Sequence, residues 1–252
     1  MRARTFGPAE LRLLRALVRP GANDLFLCGD AEQRIYRGRF SWISVGIDVR
    51  GRATRLRLNY RTTEQIRRFA DGLLPEVTEE SDGTEESDGT EEKRATVSLL
   101  RGPTPEVRGA ASAGEESALL AGWLKPLLAE GYQARDIAIF ARTEAVLRER
   151  AEPALQLCGL RGRALDDEEP VSAADVALGT MHRAKGLEFK VVVVLGCEEG
   201  LLPLASVLKD IDDEADREVY VEQERQLLYV ACTRSRERLL VTFTGKRSGL
   251  LR

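Results

Sequence analysis

Apolar positions recur three and four residues apart in PAELRLLRALV (8–18), which predicts an amphipathic helix with Pro8 in its opening turn, where a missing N–H is harmless. The same period in TEQIRRFADGLL (63–74), EESALLAGWLKPLLAEG (115–131), TEAVLRERAEPALQLCG (143–159) and VEQERQLLYVACTRSRE (221–237) predicts further helices. Thr62 is the candidate cap of the first of these; Gly131 and Gly159 close the next two, and Pro126 argues for a kink. Between the helices lie short runs of strand character: LFLCG (25–29), read as a short buried strand, ATRLRLN (53–59), ATVSLLRG (95–102), DIAIFAR (136–142), DVALGTMH (175–182), KVVVVLG (190–196) and RLLVTF (238–243). Several are apolar at every position, and they alternate with helices. The predicted fold class is therefore α/β, a parallel sheet flanked by helices on both faces. Ligands of such sheets bind beyond the carboxyl ends of the strands. The residues found there are Gly29 through Gln33, Asn59-Tyr60-Arg61, Arg142-Thr143 and the stretch after Met181.

Composition changes this picture in one place. The net charge of −3 hides residues 76–92, EVTEESDGTEESDGTEE, which hold nine acidic side chains, no basic ones and a repeated TEESDG. Too little of it is apolar to offset the entropy of ordering, so 76–93 is expected to be an acidic mobile loop. Without those nine acids the remainder carries about +6, the difference between 38 basic and 32 acidic residues, a balance compatible with a phosphate-binding face. No apolar run approaches a membrane span, and MRARTFGPAE lacks an apolar signal core, so a cytoplasmic protein without a membrane partner is expected. Cys28, Cys158, Cys197 and Cys232 show no metal-ligand spacing and are read as reduced structural thiols.

The polar groups after the strands suit a nucleotide. An arginine fork donates paired hydrogen bonds to phosphate, and a tyrosine ring stacks on a base. Arg61 beside Tyr60, Arg234, Gln33 and Glu188 offer such groups, although each alone is as readily a surface or structural residue. CGDAEQRIY (28–36), RLNYRTT (57–63), TMHRAKGLEF (180–189) and ERQLLYVACTRSRERL (224–239) resemble, in order, four motifs of the UvrD/Rep group of superfamily 1 DNA helicases. The AKGLEF form resembles that branch rather than the RecD/Pif1 branch.

The resemblance implies a RecA-like (P-loop NTPase-type) fold and ATP-dependent 3′-to-5′ movement on single-stranded DNA. Carried over by position, it implies that Gln33 senses the γ-phosphate while Arg61 and Arg234 grip it. Tyr60 would stack on adenine, and Glu188 would bind the ribose. Thr180, His182 and Lys185 would face the DNA backbone or phosphates, and Tyr36 would lie on a base-stacking path. Gly186 permits the tight turn that lets the backbone approach a ligand.

The chain departs from the family pattern in several ways. It contains no G-x-x-x-x-G-K-[ST]; FTGKRS has Arg247 where Ser or Thr is needed, so the domain lacks its own phosphate loop. No apolar strand ends in an Asp-Glu pair, and DEAD (213–216) is read as a coincidence in a loop. The chain is expected to start just past that pair. Gly38 stands where relatives usually have an aromatic residue, and only 36 residues separate Thr143 from Thr180, too few for the helical accessory domain common there.

The expected organisation is a remnant of a first RecA-like motor domain (1–45) followed by the second motor domain (46–252). ATP with Mg2+ would bind only in the complete two-domain enzyme. Its partners would be single-stranded DNA and a first RecA-like domain, in the full-length protein or on a separate chain. The alternative is a non-catalytic nucleic-acid-binding or regulatory module of the same fold. A metal nuclease using the E-x-K match at Glu188–Lys190 is a smaller possibility on chemistry.

Overall fold

The structure is a computed structural model that describes residues 7–21, 23–28, 42–52, 54, 58–75, 97–165 and 173–251. Contacts divide the chain into Met1–Leu56 and Arg57–Arg252, whereas the sequence reading put the boundary after residue 45. The acidic repeat, Gln33 and Tyr36 lie outside the described residues.

In the first unit the expected helix forms as α1 (Pro8–Leu17). Leu11 packs with Val45 and Ile47 in a small core joined by Leu14, Leu25, Leu27, Trp42 and Val49. The buried strand expected at 25–29 is not seen over 25–28, where the described residues carry no regular structure and Phe26 is 92 % exposed. Partial burial of Leu25 and Leu27 still alternates with exposure of Phe26 and Cys28. Strand-like alternation without a hydrogen-bonded neighbour is not a sheet.

The second unit includes β1 (Leu58–Asn59) and β2 (Val97–Ser98), a parallel two-stranded ribbon, and residues 99–102 of the predicted 95–102 run lie outside the strand. Between them in sequence stands α2 (Glu64–Asp71), whose N-cap is Thr63 rather than Thr62. The main sheet comprises β3 (Glu106–Ala110), β4 (Ile137–Ala141), β5 (Arg161–Ala164), β6 (Asp175–Thr180), β7 (Phe189–Leu195) and β8 (Ser235–Thr244). Its order is β3-β8-β7-β4-β6-β5 and every neighbouring pair is parallel.

Side chains alternate between faces. Ile137, Ile139, Val191 and Val193 meet Leu120 and Leu124 of α3 (Ala113–Ala129) and Leu155 of α5 (Glu152–Leu157) in one buried cluster. After the short α6 (Ala205–Lys209), α7 (Glu214–Cys232) lies on the opposite face against β7 and β8, above buried Val192, Val194 and Val241. The α/β class with both faces covered is what the apolar runs predict.

Several local expectations change. β3 and β5 are absent from the sequence reading because they are edge strands, half-solvated and interrupted by Gly109 and Gly162. A Cβ on Gly109 would stand 2.7 Å from the Phe243 ring, and one on Gly162 would run into Leu178, so close packing explains both glycines. Pro126 does not end α3, which runs on to Ala129. Its missing N–H withdraws the usual helical donor from the carbonyl of Gly122, which is exposed to solvent.

The helix over 143–159 is not uniform. After α4 (Glu144–Val146) it widens into a π-helical turn at residues 147–151, in which the Glu152 N–H reaches the Leu147 carbonyl. Pro153 follows at once and donates nothing to the ladder. DEAD is not a loop: Asp213 caps α7 by accepting the Asp216 N–H at 3.0 Å, and Glu214 and Asp216 occupy its first turn. Acidic side chains at a helix N-terminus complement its dipole, which accounts for the tetrapeptide without any metal chemistry.

Candidate functional site

The β1 ribbon presents the first group of side chains. Asn59 Oδ1 accepts the backbone N–H groups of Arg61 at 2.8 Å and Thr62 at 3.2 Å, which turns the chain sharply after the strand. The Thr63 N–H then donates to the Arg236 carbonyl (3.2 Å) and the Glu64 N–H to the Leu100 carbonyl (2.8 Å). These bonds tie the loop to the start of β8 and to the residues after β2. Tyr60 is left 66 % exposed, and Arg61 Nη1 comes to 3.8 Å from Glu188 Oε2. Arg236 Nη1 approaches the other oxygen of Glu188 at 3.9 Å. All three side chains are nearly half exposed. Such loose pairs are worth at most about 1 kcal/mol, so an incoming ligand can exchange them at little cost.

Glu188 immediately precedes β7, and the Phe189 N–H donates to the Arg234 carbonyl at 3.0 Å. The Arg234 backbone therefore joins this cluster, but its side chain is buried, at 1 % exposure. Nε donates to the Val230 carbonyl (3.0 Å), Nη1 to the Leu187 carbonyl (3.4 Å) and Nη2 to Thr233 Oγ1 (3.2 Å). Lys185 is partly buried nearby; burial first, then the charge of Arg234, holds its ammonium below the usual lysine pKa. Gly186, with φ +81°, makes the turn that the motif reading required.

This cluster sits at the amino ends of β7 and β8, not at the carboxyl ends where such sheets usually bind ligands. The reason is the β1 ribbon, which the pattern analysis could not place relative to the main sheet.

The carboxyl ends of β4 and β6 carry a second group. Arg142 donates to Glu224 of α7 through Nε (2.6 Å) and Nη2 (2.8 Å), a bidentate pair with the carboxylate 3 % exposed. His182 follows β6 and its end residue Thr180. Burial, then the charge of Arg142, lowers the imidazole pKa below 6.5, against a smaller opposing effect of Glu224. Neutral at pH 7, His182 offers a phosphate a hydrogen bond rather than a charge.

The segment from Met181 to Glu188 thus runs between opposite edges of the sheet, with Met181 and Ala184 buried. It joins His182 at one edge to Lys185, Gly186 and Glu188 at the other.

The lowered His182 pKa has a signed consequence. Below pH 6.5 the unfolded chain takes up the proton more readily than the folded one, so this contribution to stability is present above pH 6.5 and declines as pH falls toward the lowered folded value. His182→Gln is expected to flatten the dependence of the melting temperature between about pH 7.5 and 5.5. Melting curves of the two proteins that run parallel across that range would remove the effect.

Comparisons with known proteins bear on what this arrangement is. The UvrD-like helicase C-terminal domain family matches residues 154–246. The chain is similar to the ATP-dependent DNA helicase PcrA of Staphylococcus epidermidis, at 43 % identity over 77 residues covering 31 % of this chain and 10 % of the relative. It is also similar to PcrA of Staphylococcus aureus, at 40 % over 82 residues (32 % and 10 %), and of Leuconostoc citreum, at 44 % over 78 residues (31 % and 9 %). The match spans only about a tenth of each relative. Among solved structures, the C-terminal domain of a possible DNA helicase from Lactobacillus plantarum WCFS1 superposes with a TM-score of 0.50 at 22 % identity, covering 76 % of this chain and 91 % of that one. That likeness supports the fold, a RecA-like parallel sheet.

The second unit also contains residues that motif reasoning missed. Arg236 joins Glu188, and Arg142 joins Glu224 across 82 positions, a separation that carries no local signal. A buried triad lies near the carboxyl end of β7. Arg150 of the π-helical turn contacts Glu116 of α3 at 2.7 Å and Glu198 at 2.8 Å. Remaining carboxylate oxygens accept the N–H groups of Gly196 (3.3 Å) and Thr244 (3.0 Å). Its role is to fasten α3 to the ends of β7 and β8.

Proposed function

We propose that this chain supplies one wall of the ATP cleft of a 3′-to-5′ DNA helicase or translocase, together with part of its single-stranded DNA path. The observation that carries the reading is the convergence of Tyr60, Arg61, Glu188 and the Arg234 backbone at the amino ends of β7 and β8. An exposed ring, a half-exposed arginine and a half-exposed carboxylate fit the base, phosphates and sugar of a nucleotide. Thr180, His182 and Lys185 are assigned to the DNA backbone or phosphates, with Gly186 between the two ligands. Gln33 as γ-phosphate sensor and Tyr36 on the base path rest on sequence motifs alone. Among the described residues no acidic, histidine or cysteine cluster could hold a metal, so Mg2+ would rely on the opposing wall with its phosphate loop. No helix among them is long and apolar enough to cross a membrane, and a cytoplasmic location is part of the proposal.

The isolated chain is expected to show no ATPase turnover above background, with or without single-stranded DNA, because it has no phosphate cradle. Robust turnover in a coupled assay would overturn this. One observation favours a second reading, a non-catalytic nucleic-acid-binding module. The Arg234 guanidinium is bonded to carbonyls beneath the surface rather than presented to a phosphate. Adding a separate chain that bears a phosphate loop distinguishes the two, since only the motor reading predicts restored ATP hydrolysis.

A further inference from the structure

Strand β8 opens on an irregularity. Phe189 of β7 pairs with Ser235 and Val191 pairs with Arg238, so β8 carries Arg236 and Glu237 where β7 has Lys190 alone. This is a β-bulge, and an inserted residue of that kind re-aims the side chains around it. The Ser235 hydroxyl fastens it by donating to the Arg238 carbonyl at 2.6 Å. The three charged residues after Ser235 then go to different partners. Glu237 accepts the Tyr132 hydroxyl at 2.9 Å, and Arg238 approaches Glu130 at 3.4 Å. Arg236 reaches Glu188, with Nη1 3.9 Å from Oε1, while Arg61 Nη1 stands 3.8 Å from Oε2. One carboxylate therefore lies between two guanidinium groups.

The two arginines are mounted differently. Arg61 belongs to the loop after β1, whereas Arg236 springs from the main sheet. The Arg236 carbonyl also anchors that loop, by accepting the Thr63 N–H at 3.2 Å. Glu188 is the acid that Arg236 meets among the described residues, and its buried Nε has no hydrogen-bond partner there.

The proposed cleft asks Arg61 to leave Glu188 for the phosphates and asks Glu188 to face the sugar. With Arg61 as its one cation, Glu188 would then stand unpaired beside a polyanion, so each would hold the other back from its ligand. We infer that Arg236 is a positioning residue: it keeps Glu188 paired and turned to the ribose hydroxyls once Arg61 has moved to the phosphates. It acts through Glu188, not on the nucleotide. The inference rests on the proposed cleft and deepens it, giving a role to a side chain that the motifs left without one. Because the pair is long and nearly half exposed, it contributes at most about fivefold in affinity, and a point charge can supply it.

The test is steady-state turnover by the chain assembled with a first motor lobe that bears the phosphate loop. The substrates are ATP and 2′,3′-dideoxy-ATP, which offers Glu188 no hydroxyl. The ratio of their kcat/KM values reads the sugar contact, and the parent is expected to favour ATP about fivefold. Arg236→Gln and Glu188→Ala should each bring that ratio to about one, chiefly through KM. Arg236→Lys should restore it. Arg61→Gln should lower turnover yet keep the parent's ratio, because Arg236 still holds Glu188. Melting of Arg236→Gln should match the parent, since the bond to Thr63 uses the backbone. A parent-like ratio in Arg236→Gln would overturn the inference, whether turnover is unchanged or both nucleotides weaken alike. The second result would make Arg236 a phosphate ligand or a structural residue. If the assembly hydrolyses no ATP, or if Arg61→Gln and Glu188→Ala both behave as the parent, the cleft reading falls and takes this inference with it.

Discussion

Arg150→Met is expected to destabilise the domain by about 3–5 kcal/mol and to lower its melting temperature by roughly 10 °C. Among the described residues, Arg150 is the cation paired with two carboxylates, Glu116 at 0 % and Glu198 at 8 % side-chain exposure. Removing it leaves two negative charges facing each other away from water, with backbone N–H groups as their remaining donors. The triad also links α3 to β7 and β8 through side chains whose partners lie 34 or more positions apart, so losing it loosens the packing of the whole face. A second variant separates charge from shape. Replacing all three residues together, Glu116→Leu, Arg150→Met and Glu198→Leu, should recover most of the loss, because well-packed apolar groups substitute for a buried ion network. Urea unfolding of the two variants beside the parent measures both effects. An Arg150→Met protein as stable as the parent would show that water or rearrangement satisfies the carboxylates.

Arg234→Lys is expected to reduce ATP turnover by about 10³ in an assembly that includes the first motor lobe. The reading asks this guanidinium to stabilise the transferring phosphoryl group, yet the chain by itself stores it at 1 % exposure on two carbonyls and a hydroxyl. To act it must exchange those neutral acceptors for phosphate when the cleft closes. A charged group gains from that exchange, since an anionic acceptor binds an arginine about twice as strongly as a neutral one. Lysine keeps the charge and part of the carbonyl bonding, so folding should suffer by only about 1–2 kcal/mol. Turnover measured at saturating nucleotide, together with thermal melting, distinguishes the roles. If activity falls only in proportion to the folded fraction, Arg234 is a structural residue that pins Leu187 to the end of α7, and the catalytic assignment is wrong.

The legibility of this chain followed solvation. VVVV before Leu195 and IAIF after Asp136 could be read as central strands because residues covered on both faces have no polar alternative, and the structure places them in the middle of the sheet. β3 and β5 could not, because an edge strand keeps one side in water and tolerates arginine and glycine. The DEAD tetrapeptide failed for a different reason. A capping aspartate and an acidic first turn look identical to any acidic loop until the helix that follows is known to begin there.

Among the site residues, local chemistry identified Tyr60, Arg61, Gly186 and Glu188 as candidates, and the tertiary structure brings Arg61 to Glu188 across 126 intervening residues. Local chemistry could not show that Arg234 is buried, since burial depends on Leu187 folding back over the end of α7. Nor could it show which edge of the sheet the cluster occupies. The sequence by itself determined the α/β class, the central strands and the identity of the candidate ligand groups, because hydrophobic period and side-chain chemistry are local properties of the chain. Only the tertiary structure decided the strand order, the amino-edge position of the cluster, the partners Arg236 and Glu224, and the buried triad. Each of these depends on pairings between residues far apart in sequence, and chain folding alone brings them within reach of one another.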